Sequence, residues 1–342
     1  MTTPPWWVYH GTGKPHEWEV PPASRWRTFD GTPPAGGRPT GLGWLVAGEA
    51  DARVGRRELL AKTYRAEHGE ALLVNAAIYL RRPLLVTGGP GVGKSTLAGS
   101  IAYELKLGEV LHWPITSRTT LQDGLYRYDA VGRLHAANLD RQGRRPGRGP
   151  ADVGRYLTLG PLGTALLPAD RPRVLLIDEF DKGDIDLAND LLTVFEEGRF
   201  PIPELQRMDD QVVTVLTADA KAAAIERGRV ECAQFPIVVI TSNGERQFPP
   251  AFMRRCVKLR IDPPSATKLR RIVQAHLGSQ ILQKPGMADL LEVFAEKMRK
   301  PDAVFATDQL LNVLSLESDV ERDSDDWKVL VERLLSPLDD QT

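Results

Sequence analysis

The run of apolar and polar positions divides the chain into parts with different periodicities. Three short segments, "PLLVTG" (83–88), "RVLLID" (173–178) and "PIVVIT" (236–241), are apolar at consecutive positions. A strand that hides both faces belongs inside a helix-covered parallel sheet. "EVLHWPIT" (109–116) is a weaker fourth. Between them "STLAGSIAYELK" and "DLANDLLTVFEEG" repeat apolar residues at helical spacing. Ahead of them, residues 57–82 read as helical segments broken near Gly69 and ended by Pro83. Such alternation predicts an α/β doubly wound sheet. Past Pro263-Pro264 the strands stop. "SATKLRRIVQAHL", "MADLLEVFAEKMRK", "TDQLLNVLSLE" and "DSDDWKVLVERLL" predict a second, all-helical unit.

Residues 1–50 fit neither pattern. They hold eight Pro, eight Gly and five of the seven Trp, a composition that makes neither helix nor sheet by itself. Two readings stand open: a flexible tail, or an extended arm docked on its own core, a neighbour or a partner. Tryptophan favours docking, because each ring offers a large apolar area to bury. The predicted units are an arm over 1–50, an α/β unit over 51–263 and a helical unit over 264–342.

Composition narrows the function. With 44 basic and 45 acidic residues the net charge is −1, so no overall field points to nucleic acid or an anionic membrane. No apolar run reaches a membrane span, and the first residues have no signal-peptide pattern. Two cysteines cannot make a disulfide framework, and the six histidines lack metal-ligand spacing. The expected setting is cytoplasmic. Cys256 beside two arginines has two readings, an acidified thiol or a packing residue.

"GGPGVGKS" fits the phosphate-loop pattern, with a strand before it and a helix starting at Ser95-Thr96. Gly88, Gly89, Pro90, Gly91, Val92, Gly93, Lys94, Ser95 and Thr96 are thus the candidate nucleotide-binding residues. The glycines let backbone N–H groups face a polyphosphate, Lys94 would reach the β and γ phosphates, and Ser95 would ligate Mg²⁺. In "RVLLIDEFDK" a buried strand delivers Asp178 and Glu179 to its carboxyl end, where open α/β sheets bind ligands. Asp178 is the second candidate for the Mg²⁺ shell, and Glu179 the candidate base for an attacking water. "VVITSNGERQFPPAFMRRC" supplies Asn243 just past another strand and Arg254-Arg255 after a short helical turn. Asn243 would hold the same water; its alternative role is a turn-forming residue before Gly244. The arginines lie too far along to reach their own nucleotide. They would reach a neighbour's γ-phosphate in a ring, or else form a surface pair with a carboxylate.

These motifs, in this order and followed by helices, resemble an AAA+ ATPase. "VNAAIYLRRPLLVTGGPGVGKS", "LGPLGTALL" and "FPPAFMRRC" most resemble the MoxR group. The resemblance covers roughly 55–335. It implies a P-loop NTPase parallel sheet with a helical lid, and ATP with Mg²⁺ as cofactors. It assigns Asp178 and Glu179 to Walker B, Asn243 to sensor 1 and Arg255 to the arginine finger, with Arg254 in reserve, and puts an insert within about 115–165. Its partners would be a homo-oligomeric ring, a hexamer, and a protein substrate, with a von Willebrand factor A domain protein as candidate. The sequence departs from the pattern at two places. Gln309 stands where the group carries a sensor-2 arginine. "DRQGRRPGRGPADVGR" (140–155) has five arginines, read as a solvated loop or an acid-seeking contact. The expected function is an ATP-hydrolysing remodeller of a protein partner. The competing readings are an ATP-gated switch with negligible turnover and a nucleic-acid-associated motor.

Overall fold

The computed structural model describes residues 4–33, 60–141, 153–209, 211–284, 286–300, 305–316, 329 and 332–335. Eleven strands are found among them: β1 Leu84–Thr87, β2 Leu111–Pro114, β3 Tyr126–Tyr128, β4 Leu157–Leu159, β5 Val174–Asp178, β6 Arg199–Pro201, β7 Val212–Leu216, β8 Ala222–Glu226, β9 Arg229–Glu231, β10 Ile237–Ser242 and β11 Val257–Arg260. The longer helices are α1 His68–Leu80, α2 Lys94–Glu104, α3 Ala130–Arg141, α4 Ile185–Glu197, α5 Ala266–Leu277, α6 Met287–Met298 and α7 Thr307–Leu316.

Five strands form a parallel sheet in the order β11-β1-β10-β5-β2. The four predicted runs are four of these strands, and all six residues of β10 are buried. Alternation along the strands feeds two cores. Leu84, Val86, Leu176, Val239 and Leu259 pack on one face with α1 and α2, while Leu85, Leu175, Ile177, Val238 and Ile240 pack on the other with α4. Because every pairing is parallel, the carboxyl ends at Thr87, Asp178 and Ser242 share one edge. The α/β P-loop architecture is therefore present, with α5–α7 forming a separate helical core around Leu269, Phe294 and Leu310. The Lys268 amine on α5 bonds Glu70 on α1, joining this lid to the sheet unit through a buried ion pair. Of the fourth predicted lid helix, residues 329 and 332–334 are described and helical and Leu335 is buried in the lid core, while the rest lies outside the described residues.

Two features differ from the sequence reading. The break before α1 falls at 64–67, not near Gly69, which lies in the first turn; Glu67 and Glu70 form a reciprocal capping box there. A second sheet, β3-β4-β7-β8-β9-β6, spans parts of the expected insert and the stretch before β10. Its β8, "AAAIE", has a helix-favouring composition, and pairing with β7 over five residues overrides it.

Of the two readings left open for the arm, residues 4–33 take the second: they are docked on the chain's own core. Trp7, Tyr9 and Trp18 are buried with α1 and α2. The arm has no ladder, so side chains satisfy its backbone. The Asn75 amide oxygen accepts from the N–H groups of Val8 and Tyr9, and its nitrogen donates to the Tyr9 carbonyl. Glu104, fully buried at the end of α2, accepts from the N–H groups of His10, Gly11, Thr12 and Gly13 at 2.5, 3.0, 2.8 and 3.0 Å. Farther along, the Arg27 guanidinium lies against Phe29 and Phe235 and donates to the Phe195 carbonyl at the end of α4. Trp44 lies outside the described residues.

Candidate functional site

The site grows from the end of β1. Gly88, Gly91 and Gly93 have φ of 153°, 68° and 97°, and Gly93 caps α2 in the left-handed region, a turn that side chains disfavour. Gly89 and Pro90 are exposed at the tip, while Val92 is buried and anchors the loop to the core. The turn aims the N-terminus of α2, with Lys94, Ser95 and Thr96, at the sheet edge, where free N–H groups and the helix dipole favour an anion.

Lys94 is 8% exposed and donates to the carbonyls of Gly88 and Gly89 and to the Asn243 side-chain oxygen, each at 2.7 Å. Burial lowers its pKa, opposed by the Asp181, Asp178 and Glu179 carboxylates. To bond a phosphate, the ammonium exchanges one of these three acceptors. Asn243 is thus linked directly to the loop lysine.

Asp178 collects three partners. Ser95 Oγ donates to Oδ1 at 2.7 Å, Thr241 Oγ1 donates to the same oxygen at 2.6 Å, and His112 Nε2 lies 3.2 Å from Oδ2. Burial alone would raise the carboxyl, but these hydrogen bonds outweigh it and hold the pKa at about 2. The pair fits a divalent cation: a hydroxyl and an ionised carboxylate in contact, beside a phosphate-shaped turn, are the hard oxygen donors Mg²⁺ takes together with phosphates and water. No cluster of three or more His, Cys, Asp or Glu among the described residues would hold a metal without that help.

Glu179 follows in the left-handed region at φ 58°, which for a residue with a side chain is strained. Its N–H donates to Thr241 Oγ1 at 2.9 Å, so one hydroxyl fixes both neighbouring acids. The carboxylate faces solvent and accepts from Lys182 at 2.7 Å. Asp181, 2% exposed, accepts from the backbone N–H groups of Asn243 and Glu245 at 2.9 and 3.1 Å and so sets the loop that carries Asn243. Thr241, His112, Asp181 and Lys182 were not singled out in the sequence as site residues. Only Thr241 left a trace, as the polar end of an otherwise apolar strand.

The two arginines sit elsewhere. Val257 pairs with Leu84 and Arg260 with Thr87, so Arg254 and Arg255 precede β11 at the amino edge of the sheet. Counting strand rises, Arg255 is on the order of 20 Å from Gly88, more than an arginine spans. Its Nε donates to Glu196 and its Nη1 to the Ala251 carbonyl at 3.1 Å, whereas the Arg254 side chain is exposed. The carboxylate pairing considered from the sequence is therefore present for Arg255. Cys256 is buried, and burial pushes its thiol up to about 12, which fits packing and not an acidified thiol.

Gln309 is near the phosphate loop but turned from it. A Cβ on Gly91 would fall 2.3 Å from the Ala306 Cβ, so loop and α7 start in contact. The Gln309 side-chain oxygen accepts from the Ala306 N–H at 2.8 Å and its nitrogen donates to the Leu334 carbonyl at 3.2 Å. The arginine-rich stretch lies mostly outside the described residues. A cleft of about 750 Å³ beside β7 and β8 contains the Arg173–Asp219 ion pair and none of these residues.

Residues 83–256 match the model of the AAA domain, dynein-related subfamily. That is half of the chain, and it spans the loop, both acids and Asn243. The chain belongs to the AAA family. As an AAA+ protein it is a nucleotide-binding protein of the P-loop class. No curated protein matches it. Among solved structures it is similar to a closed-state cryo-EM reconstruction of Hsp104 with ATPγS and FITC-casein, at 18% identity and a TM-score of 0.38, covering 72% of this chain and 45% of that one. The AAA chain thus spans less than half of that structure's length. No helix among its described residues is long and apolar enough to cross a membrane.

Proposed function

We propose that this AAA+ protein is an Mg²⁺-dependent ATPase that works as a ring, a hexamer, and couples hydrolysis to remodelling a protein partner. The observation that carries the reading is the division of labour between sheet edges. Loop, acids and Asn243 share one edge, while Arg255 stands at the other, beyond reach of its own loop. The N–H groups of the loop and Lys94 bind the phosphates. Ser95 and Asp178 would hold Mg²⁺, which when bound neutralises charge on the phosphate oxygens. Glu179 accepts the proton of a water oriented by the Asn243 amide. Arg255 of an adjacent copy closes the site and stabilises charge in transfer. The MoxR resemblance adds the partner class, a protein with a von Willebrand factor A domain, and the 1–50, 51–263 and 264–342 division. A cytoplasmic location fits the same reading.

Two observations favour a second reading, an ATP-gated switch with negligible turnover: the Gln309 amide is engaged by Ala306 and Leu334, and Glu179 is paired with Lys182. Turnover per subunit against protein concentration separates the two, for wild type, Arg255→Ala, and Arg255→Ala mixed with Glu179→Gln. Ring hydrolysis predicts turnover that rises with association, a loss of about 10²–10³-fold in Arg255→Ala, and partial recovery in the mixture. Negligible wild-type turnover with intact ATP binding establishes the switch instead.

A further inference from the structure

We propose that the N-terminal arm carries Trp26 onto the Arg255 face as a docking contact for a second copy of this chain. The inference rests on the ring reading above and extends it to a segment outside the matched AAA region.

A continuous set of bonds places the arm there. The Arg27 guanidinium donates to Glu196 and to the Arg81 carbonyl, and Glu196 accepts from Arg255. Arg81 donates to the Pro21 carbonyl at 2.7 Å, and Arg82 to the Arg254 carbonyl at 3.1 Å. Arm, end of α1, end of α4 and the two arginines thus meet in one surface region. Arg27 itself is buried and anchored by Phe29 and Phe235, so its neighbour is held in place from behind. That neighbour, Trp26, is 79% exposed, and Leu80 nearby is 43% exposed. An exposed tryptophan beside an anchored residue is the kind of side chain that dominates protein interfaces.

The position of Arg255 also indicates the occupant. On the ring reading, Arg255, joined to the arm through Glu196 and Arg27, meets the phosphates of another copy, so the surface that arrives is the phosphate edge of an identical chain. The charges complement each other. Around Trp26 the exposed or half-exposed groups are Arg25, Arg82, Arg254 and Arg255, against Glu196. Around Ile185 the phosphate edge exposes Glu179, Asp184, Asp186 and Glu245, against Lys182 and Arg246, with Arg118 and the Arg260–Asp262 pair farther along the same edge. An apolar anchor with a basic rim would meet an apolar residue with an acidic rim. Such a head-to-tail contact uses different patches on the two copies and closes into a ring if the rotation permits.

The test is sedimentation velocity of the full chain over a concentration series with ATP and Mg²⁺, for wild type, Trp26→Glu, Leu80→Lys and Arg255→Ala. Equal melting temperatures would show that the folds are intact. The expected result is a shift of the association midpoint by at least tenfold for Trp26→Glu and by less for Leu80→Lys. Turnover per subunit should recover as Trp26→Glu is driven together at high concentration. Arg255→Ala should associate yet fail to turn over. If wild type associates and Trp26→Glu follows the same curve, the arm proposal falls while the ring stands. If wild type remains monomeric throughout, both fall.

Discussion

Helix α2 has an anion-holding turn at each end, and the two differ in where the anion comes from. At its start, residues 88–95 turn through glycines at positive φ to present N–H groups and Lys94 to a polyphosphate that the chain does not contain. At its end, residues 10–13 turn through Gly11 and Gly13, at φ 68° and 65°, and four N–H groups converge on the carboxylate of Glu104. The backbone physics is the same, a concave row of donors around negative charge. The first turn serves nucleotide binding, because its ligand comes and goes. The second serves stability, because its ligand is the last residue of the helix. Both clamp one helix, so the arm fixes the far end of the element that bears the phosphate-loop lysine.

Exchanging the damage between the two turns gives the largest expected effects. Lys94→Ala should lower turnover by about 10³-fold, the scale of losing a charge directed at the transition state, while the melting temperature changes little. Glu104→Ala should do the reverse. It strands four inward N–H groups, each worth about 1–3 kcal/mol when buried without a partner, and water entry offsets part of the sum. A net loss of about 3–5 kcal/mol is expected, read from denaturant unfolding. Equal loss of stability in both variants would show that the turns do not divide the work in this way.

The two turns also differ in how visible they were in the sequence. The phosphate loop is a local pattern of fixed spacing, flanked by strand and helix, so its residue types alone announce it. So do Asp178-Glu179 and Asn243, each at the end of an apolar run. The Glu104 turn is not local. Glu104 is 91 to 94 residues from its donors, and nothing in "YELK" marks a buried acid. The arm's tryptophans signalled burial but not where. For the same reason nothing local marks Asp181, although it holds the backbone of Asn243. The second sheet escaped because its strands are three to five residues long and β8 is rich in alanine. The amino-edge position of Arg255 needed the register of β11 on β1, which no spacing supplies.

A smaller effect separates the turns by pH. Asp178 has its folded pKa held at about 2 against an ordinary 3.8, by hydrogen bonds from His112, Thr241 and Ser95 that outweigh burial. A depressed carboxyl contributes stability that is fully present above its unfolded value and lost as pH falls through the folded value. The window is therefore about pH 4 down to pH 2, and the full shift corresponds to about 2 kcal/mol. Asp178→Asn should remove that part of the acid limb of a stability–pH curve. Glu104→Ala should leave it in place, displaced downward as a whole. An unchanged limb in Asp178→Asn would mean that other acids carry the linkage.

The finest comparison uses two glycines of equal φ. Gly11 and Gly91 both have φ 68°, and a Cβ on either would press on an alanine, 2.2 Å from Ala66 Cβ for Gly11 and 2.3 Å from Ala306 Cβ for Gly91. An added methyl at positive φ costs about 1–2 kcal/mol in backbone terms alone, and the close contact adds to it. Because the local physics is matched, the readouts should separate by location. Gly11→Ala should lower stability by about 2 kcal/mol and leave ATP affinity within twofold, since Ala66 belongs to the sheet unit that the arm packs against. Gly91→Ala pushes on the first turn of the lid helix α7, so the loop or the lid must move apart. Its stability loss should be similar or smaller, but ATP affinity should fall about tenfold, because the phosphate turn is the part that yields. Equal affinity in the two variants would show that contact between phosphate loop and lid does not shape the nucleotide site, and that the resemblance between the two turns extends no further than their backbones.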